Sequence, residues 1–475
     1  MARGQIVLIA GSLFLFGTLT AGWQVSIYFV FLIGSVTFLV FYLYDKFSHL
    51  VGFRAIYLLF FVPLLLGFFY YYANRNWQQA TQILPPETQS EFTALVLTEP
   101  DSANSIRTFE AGLLPPYRGQ VKVIASAVVS YGDLVTILGT VASQPRDSFA
   151  PPLVEFPRIT IRASDRGFWL KSKLIRLRNG IVGSFRLHLP QEPAALLSGL
   201  TLGQRGDFSP ELKAAMATSG TTHLVALSGY NISIIILAFA NILSGRVTRR
   251  FAFILVTLGI LLFVLMTGAE ASIVRAALMG FIALSAREAG RLYSFGHGIV
   301  LAAVIMTLVS PTLPSFDIGF QLSFLSLLGI TYLSEPLGRY FRFRPGSDSI
   351  LAWRDNLITT LAAQLAVAPL LLQQFHQVSL TAVFANVLIL GLVPLTMFSG
   401  LVLALVSFVS FYLARAVAWL AYLLLAYELG VIKLFARLAL PLPAFLPGWF
   451  FATIYYLGLL LLIMNAPKLS LRHAS

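Results

Sequence analysis

The feature that most constrains this chain is a series of apolar runs long enough to cross a lipid bilayer. IVLIAGSLFLFGTLTAGW, VSIYFVFLIGSVTFLVFYLY and FAFILVTLGILLFVLMTG each have the length of a helix that spans roughly 30 Å of hydrocarbon. Only 11% of the residues are charged, whereas soluble domains average about 25%. The sequence therefore predicts a polytopic α-helical membrane protein with about 12 transmembrane helices.

The order of apolar and polar segments predicts where these helices lie. Between 379 and 413, one span, two spans or a re-entrant segment all fit the pattern. Most loops rich in Lys and Arg fall on one side, which places both termini in the cytoplasm by the positive-inside rule, with Lys433 and Arg437 as exceptions. The expected spans lie near residues 5–21, 24–44, 55–73, 222–244, 251–267, 269–286, 296–311, 318–334, 357–374, 393–413, 416–434 and 449–465.

The region between the third and fourth spans has a different composition. TALVLTEP, QVKVIASAVV, LVTILGTVAS and PRITIRAS are short stretches rich in Val, Ile and Thr, separated by Pro, Gly and Asp. We expect an inserted extracytoplasmic OB-like β-barrel of about five strands within residues 74–165. The N-terminal transmembrane helices would then occupy residues 1–73.

Residues 166–221 follow this region and begin with a basic segment, RGFWLKSKLIRLRNGIVGSFRLHLP. Apolar residues recur at helical spacing, which predicts an amphipathic helix that lies in the membrane interface or lines a path for anions. The polar side carries Lys171, Lys173, Arg176, Arg178 and Arg186. Two short helices should follow, the second capped by Ser209 with Pro210 at its first position.

A cluster of polar residues opens the fourth span, in THLVALSGYNISII. Polar groups within hydrocarbon are costly and mostly face protein or water. Either this helix is surrounded by protein and water, or Ser228 and Gly229 break it and expose half-helix ends. The alternative is that the side chains only form hydrogen bonds between helices. The cluster consists of His223, Ser228, Gly229, Tyr230 and Asn231.

Three further segments place polar residues in apolar surroundings. TGAEASIVRAALMG carries Glu270, Ser272 and Arg275, and a buried arginine must be paired or hydrated. A structural Arg–Glu contact across helices is the alternative to a functional role. DIGFQLSFLSLLGI and AAQLAVAPLLLQQFHQVSLTAVFANVLILGLVPL add Asp317, Gln321, Gln364 and Asn386.

Several kinds of catalytic centre have no matching pattern in the sequence. There is no Cys, no HxH or HExxH pair, no GxxxxGK[ST] loop and no GxSxG elbow. We therefore expect no metal, no cofactor and no enzymatic activity, but a channel or transporter.

Four motifs in fixed order resemble the competence domain of the ComEC family, the bacterial channel for DNA uptake. They are HLVALSGYNISII, SIVRAALM, IGFQLSFLSLLGI and AQLAVAPLLLQQFHQVSLTAVFANVLILGLVPL. Residues 90–165 resemble the external OB-like domain of that family, most clearly in YGDLVTILGTV. The resemblance implies a channel domain at residues 222–466, a cytoplasmic tail at 467–475, and passage of single-stranded DNA across the cell membrane during natural transformation.

The resemblance also assigns residues and shows departures. His223, Ser228, Gly229 and Asn231 fall in the family's HLxAxSG motif, Ser272 and Arg275 in SxxRAxxM, and Gln321, Ser323, Gln364 and Asn386 in the later motifs. Tyr230-Asn231 stands where members often have Leu-His, and Ala271 where Pro is common.

Many family members continue into a metallo-β-lactamase-like domain, but this chain has no HxHxDH. We therefore expect a separate nuclease, together with a DNA receptor and a cytoplasmic motor or single-strand-binding protein.

OB-folds bind single strands through aromatic stacking and a positive groove, and basic helices attract phosphates in a salt-dependent way. Two rivals remain at this stage: a secondary transporter of a smaller anionic solute, built on broken helices, and an intramembrane enzyme using His223 with Ser228 or Glu270. An external strand-rich module favours the DNA channel over the transporter, and the missing metal-ligand spacing and the lack of a paired nucleophile and base argue against the enzyme. The candidate DNA-binding residues are Arg118, Lys122, Arg158, Arg162, Lys171, Lys173, Arg176 and Arg178, with Tyr117 and Tyr131 as aromatic candidates.

Overall fold

The computed structural model of the chain is mostly helical and carries one small mixed sheet. Its contacts divide the chain into two compact units, Met1–Leu177 with Ile236–Gln321, and Arg178–Ile235 with Leu322–Ser475. The residues that the structure describes are 3–26, 28, 54–85, 88–103, 106–142, 151–204, 206, 208–225, 231–232, 234, 245–341, 353–375, 379, 381–439 and 448–465.

Most helices occur where the apolar and amphipathic patterns predict them, but the short helix Leu313–Phe316 was not predicted, and the helix Arg54–Thr81 continues beyond the predicted span 55–73. Among the described residues they are α1 (Arg3–Gly22), α2 (Arg54–Thr81), α3 (Trp169–His188), α4 (Gln191–Leu202), α5 (Pro210–Ser219), α6 (Arg249–Thr267), α7 (Ala271–Glu288), α8 (Phe295–Val309), α9 (Leu313–Phe316), α10 (Ile318–Tyr340), α11 (Trp353–Phe375), α12 (Ala382–Leu390), α13 (Val393–Ser407), α14 (Phe411–Leu438) and α15 (Trp449–Met464).

Several of these helices have the length and composition to cross a membrane. Within the described residues, α1 (from Gly4), α6, α11 and α14 qualify singly. The pair α12–α13 qualifies together and is bent by 50°. The predicted spans 24–44 and 222–244 lie largely outside the described residues, and a total of about 12 spans stays a prediction.

The bend between α12 and α13 bears on the ambiguity at residues 379–413: two helices meet there, and both a broken span and a re-entrant segment fit them. Pro394 lies in the first turn of α13. Proline has no N–H to donate to the carbonyl four residues earlier, so a continuous helix is disfavoured at this point. The two segments therefore form a broken apolar pair.

Close backbone contact joins α1 and α2. A Cβ on Gly17 would lie 2.0 Å from the carbonyl oxygen of Leu64, and one on Gly67 would lie 2.1 Å from that of Phe14. Only glycine allows two helices to approach so closely, which is a packing mode typical of membrane helices. Ala21, Leu64, Phe68 and Tyr71 are buried together in this contact region.

The sheet contains seven strands within the described residues, in the order β6-β4-β3-β1-β5-β7, with β2 paired to β3. The β4–β6 pair is parallel and the other pairs are antiparallel. Side chains of alternate residues face a common core, as strand geometry requires. The strands are β1 (Ser90–Val96), β2 (Asp101–Ala103), β3 (Ile106–Leu113), β4 (Gln120–Ala125), β5 (Leu134–Gly139), β6 (Leu153–Glu155) and β7 (Arg158–Ala163).

The described sheet is not closed by a continuous ladder, so the OB-like barrel is not confirmed. One isolated bridge joins Val141 to Val154, and the amide of Ala142 donates to the carbonyl of Leu153 at 2.8 Å. There are also more strands than the predicted five. The additional strands β2 and β6 have three residues each, too few to give an alternating pattern.

The segment after the sheet has the predicted order of helices, but Arg178, assigned to the polar side of the first of them, is 6% exposed. The amphipathic helix is α3, and two short helices, α4 and α5, follow it. The Ser209 hydroxyl accepts a hydrogen bond from the amide of Leu212 at 3.2 Å, and Pro210 opens α5. Most residues of α4 are buried, and Gly400 of α13 lies close to its Leu197 side chain.

Candidate functional site

Two of the five residues of the first polar cluster, His223 and Asn231, lie within the described part of the chain. Ser228, Gly229 and Tyr230 lie outside it. His223 lies in a single 3₁₀ turn after α5. Its Nδ1 is 3.2 Å from the carbonyl oxygen of Gly220. Because a carbonyl only accepts hydrogen bonds, Nδ1 carries a proton in this contact.

Asn231 is 2% exposed, and its side chain forms a hydrogen bond to the backbone of α4. Its Nδ2 donates to the carbonyl oxygen of Leu200 at 3.1 Å. Leu200 lies in the last turn of α4, where carbonyls have no partner within the helix. For this residue, the structure shows the alternative of hydrogen bonding between helices.

The second motif lies at the junction of α6 and α7. Gly268 and Ala269 both have positive φ, 94° and 59°, so the chain turns sharply between the two helices. Glu270 is exposed and immediately precedes α7. Its backbone carbonyl accepts hydrogen bonds from the amides of Ile273 and Val274. Ser272 is half-buried, whereas Arg275 is 7% exposed. The predicted burial of Arg275 is confirmed.

The third motif ties a turn to a helix. The Gln321 side-chain amide donates to the carbonyl oxygens of Pro314 and Ser315, each at 2.9 Å. Asp317 accepts from the amide of Phe320 and thereby caps the start of α10. Both donors of Gln321 are therefore used to hold the α9–α10 turn.

The fourth motif supplies residues from two helices. Gln364 is half-buried in α11, and Asn386 is 1% exposed in α12. Helix α14, which packs against α12, contains a residue that the sequence reasoning missed: Glu428 is 1% exposed, and its Oε1 accepts from the Thr396 hydroxyl at 2.7 Å. The signal was available, because Glu428 is the single acidic residue in the apolar stretch of α14.

The basic residues of the sheet lie among acidic ones. Lys122 is opposite Glu110 on neighbouring strands. Arg162 lies 3.6 Å from Glu91 and donates to Thr136. Residues 74–165 contain seven Lys or Arg and nine Asp or Glu, a formal charge of −2. The formal charge of the sheet region is therefore slightly negative, and DNA binding by its basic residues stays a prediction.

The remaining sheet candidates differ in their surroundings. Arg118 and Arg158 are exposed. The Tyr117 ring packs edge-on against Phe92 with centroids 6.4 Å apart, at the border of the core. Tyr117 thus helps to pack the sheet.

Helix α3 is fixed to the sheet at its beginning. The Lys171 ammonium donates to the carbonyl of Leu97 at 3.1 Å and lies 4.3 Å from the centre of the Tyr131 ring. The Tyr131 hydroxyl accepts from the amide of Phe168 at 3.2 Å. Partial burial lowers the pKa of the Lys171 ammonium. Lys171 and Tyr131 therefore act as an anchor for the helix.

The other cations of α3 are divided between a buried and an exposed side. Arg178 is 6% exposed and lies on the same buried face of the helix as Val182 and Phe185, four and seven residues further along. Burial lowers the pKa of its guanidinium. Lys173 is exposed beside the Trp169 ring. Arg176, which lies 3.7 Å from Asp165, and Arg186 are also exposed.

Helix α3 contains five Lys or Arg and no acidic residue. Within residues 74–188, the excess of positive charge therefore lies on this helix.

Comparisons with known proteins give one family and one relative. A family model described as Competence protein matches residues 200–468, which is more than half of the chain. The chain is 31% identical over 219 residues to ComE operon protein 3 of Bacillus subtilis (strain 168). That alignment covers 46% of this chain and 27% of the relative. No solved structure matches.

Proposed function

Because the chain belongs to the competence protein family, we propose that it is a membrane protein of DNA uptake whose helical bundle conducts single-stranded DNA across the cytoplasmic membrane. The observation that carries this proposal is the family match over residues 200–468. The charge distribution of the described residues adds an entry surface for a polyanion on α3.

In this proposal, phosphates first meet the exposed cations of α3. Lys173, Arg176 and Arg186 lie on the exposed part of the helix, whose own sequence contains no acidic residue; Arg176 also lies 3.7 Å from Asp165. Each phosphate neutralised by a cation releases condensed counterions, so the interaction weakens as salt rises. The sheet holds the beginning of α3 through Lys171.

The path through the bundle would use polar groups in otherwise apolar helices, because such groups are retained where they meet protein, water or cargo. Asn231 and Gln321 serve by fixing helix ends and turns, as their hydrogen bonds indicate. The proposed set comprises His223, Ser228, Gly229, Tyr230, Asn231, Glu270, Ser272, Arg275, Gln321, Gln364 and Asn386.

This function requires partners. A nuclease must provide the single strand, a receptor must deliver DNA, and a cytoplasmic motor or single-strand-binding protein must make transport directional. We propose that both termini are cytoplasmic and that the sheet is outside, in agreement with the loop charges.

The test replaces Arg275 by Leu in a competent strain that lacks its own copy of the protein. We expect the uptake of labelled DNA into a nuclease-protected state to fall on the order of tenfold or more, since a buried polar group of the path is lost. Arg291→Gln, in the exposed segment after α7, is the matched control. Wild-type uptake by Arg275→Leu at equal membrane levels would refute the path assignment.

A second candidate is a secondary transporter of a smaller anionic solute, which the bent pair α12–α13 favours because broken helices often form such sites. Proteoliposomes separate the two. Entry of single-stranded oligonucleotides supports the DNA channel, whereas entry of small anions with exclusion of oligonucleotides supports the transporter.

A further inference from the structure

A buried carboxyl group lies in the helical part of the second unit. Glu428 is 1% exposed and belongs to α14, a helix long and apolar enough to cross a membrane. A charged carboxylate in such surroundings carries a large desolvation cost unless a cation compensates it. The surroundings of Glu428 therefore determine whether it is charged.

No described residue compensates a charge on Glu428. Helices α12 and α13, which pack against α14, contain no acidic, basic or histidine residue. Lys433, the next basic residue along α14, lies 2.6 Å from Glu192 of α4. The other charged groups on α5 and α14 are exposed: Glu211, Lys213, Arg415 and Arg437.

Two buried oxygen atoms in this region lack a hydrogen-bond partner within the described part of the chain. They are Oε2 of Glu428 and Oδ1 of Asn386. The other oxygen of Glu428 accepts from Thr396, in the first turn of α13 after the bend. Both oxygen atoms are hydrogen-bond acceptors, and buried acceptors in proteins normally receive a hydrogen bond.

Asn386 and Glu428 lie at the same level of an antiparallel helix pair. Two contacts join the α12 region to α14, one on each side of these residues along the helix axes. Asn386 and Glu428 therefore lie at similar positions along the helix pair. These contacts are Thr381 Oγ1 to the Phe435 carbonyl at 3.4 Å, and the Tyr427 hydroxyl to the Leu388 carbonyl at 3.5 Å.

We propose that Glu428 is a proton-binding site: at neutral pH it holds a proton on Oε2 and donates a hydrogen bond to Oδ1 of Asn386, while Thr396 donates to Oε1. One proton satisfies both orphan oxygens and removes the charge. Because Thr396 begins α13, release of the proton places a negative charge beside the α12–α13 bend. Proton binding is thereby coupled to the arrangement of the bent pair.

The test uses infrared spectra of the full chain in lipid nanodiscs, without DNA, so its outcome is independent of the proposed function. At neutral pH we expect the carbonyl stretching band of a protonated carboxylic acid, and Glu428→Gln should remove it. Glu192→Gln is the matched control, since Glu192 is paired with Lys433 and should contribute no such band.

A second variant keeps Glu428 in place. Asn386→Leu removes the acceptor, so the band should shift to the higher frequency of a carboxylic acid with a weaker hydrogen bond. This variant also decides the matter if Glu428→Gln does not fold. Absence of the band from wild type at neutral pH would overturn the proposal, and so would a band unchanged by both substitutions.

Discussion

The sheet and helix α3 are neighbours in sequence, and the sequence alone suggested that both attract DNA. The structure separates them. The sheet region carries a formal charge of −2, and cations such as Lys122 and Arg162 lie beside acidic residues. Helix α3 carries five cations and no acid. We propose that attraction for a polyanion is stronger on α3, whose own sequence contains no acidic residue, and that the sheet mainly supports the beginning of the helix.

Weakening the sheet core is the most severe way to test this division. Phe109 is buried in the core, and Phe109→Ala should cost about 3–5 kcal/mol of sheet stability by leaving a cavity. Hydrogen exchange of the sheet amides measures this loss in the full chain. Val128→Ala, at an exposed position, is the control and should have little effect. Unchanged exchange in Phe109→Ala would contradict the description of this core.

Removing the exposed charge of α3 tests the helix directly. The triple variant Lys173→Gln, Arg176→Gln and Arg186→Gln should weaken binding of single-stranded oligonucleotides on the order of 30-fold at low salt, as three phosphate contacts are lost. The slope of log affinity against log salt should fall by about 2. Titrations of the full chain in nanodiscs at several salt concentrations measure both. An unchanged slope would exclude α3 as the phosphate contact.

Loosening the anchor between the two regions should have a smaller effect. Lys171→Met keeps most of the side-chain volume but loses the contacts with the Leu97 carbonyl and the Tyr131 ring. We expect a loss of about 1 kcal/mol in the local stability of the beginning of α3, measured by hydrogen exchange. Lys173→Met is the matched control. Equal effects of the two substitutions would show that the anchor does not depend on Lys171.

Neutralising the sheet should change least. In the variant Lys122→Gln, Arg158→Gln and Arg162→Gln, oligonucleotide affinity should change by less than about threefold, because exposed charges next to acids contribute little. The same salt titration measures it. A tenfold loss here, together with a small loss in the α3 variant, would reverse the comparison.

Local signals in the sequence predicted much of the fold. The cap at Ser209 and the start of α5 depend on neighbouring residues, so they could be predicted without tertiary contacts. The apolar runs placed the described membrane helices for the same reason. Arg178 was assigned to the polar side of α3, although its spacing of four and seven residues from Val182 and Phe185 already indicated the buried side.

The parts that could not be predicted depend on distant contacts. The pairing of β6 with β4 and the anchoring role of Lys171 join residues far apart in sequence. For the candidate site, the motifs drew attention to residues that proved to be held in structural hydrogen bonds, as Asn231 is. Glu428 carried no motif, and only its burial beside Thr396 distinguishes it.

The contact between α1 and α2 has a consequence for genetics. Each glycine faces a backbone carbonyl of the other helix, that of Leu64 for Gly17 and that of Phe14 for Gly67. A backbone atom cannot be made smaller by mutation. Defects caused by Gly17→Ala should therefore find no suppressors in smaller side chains at Leu64 or Phe14, and compensating mutations would have to arise elsewhere.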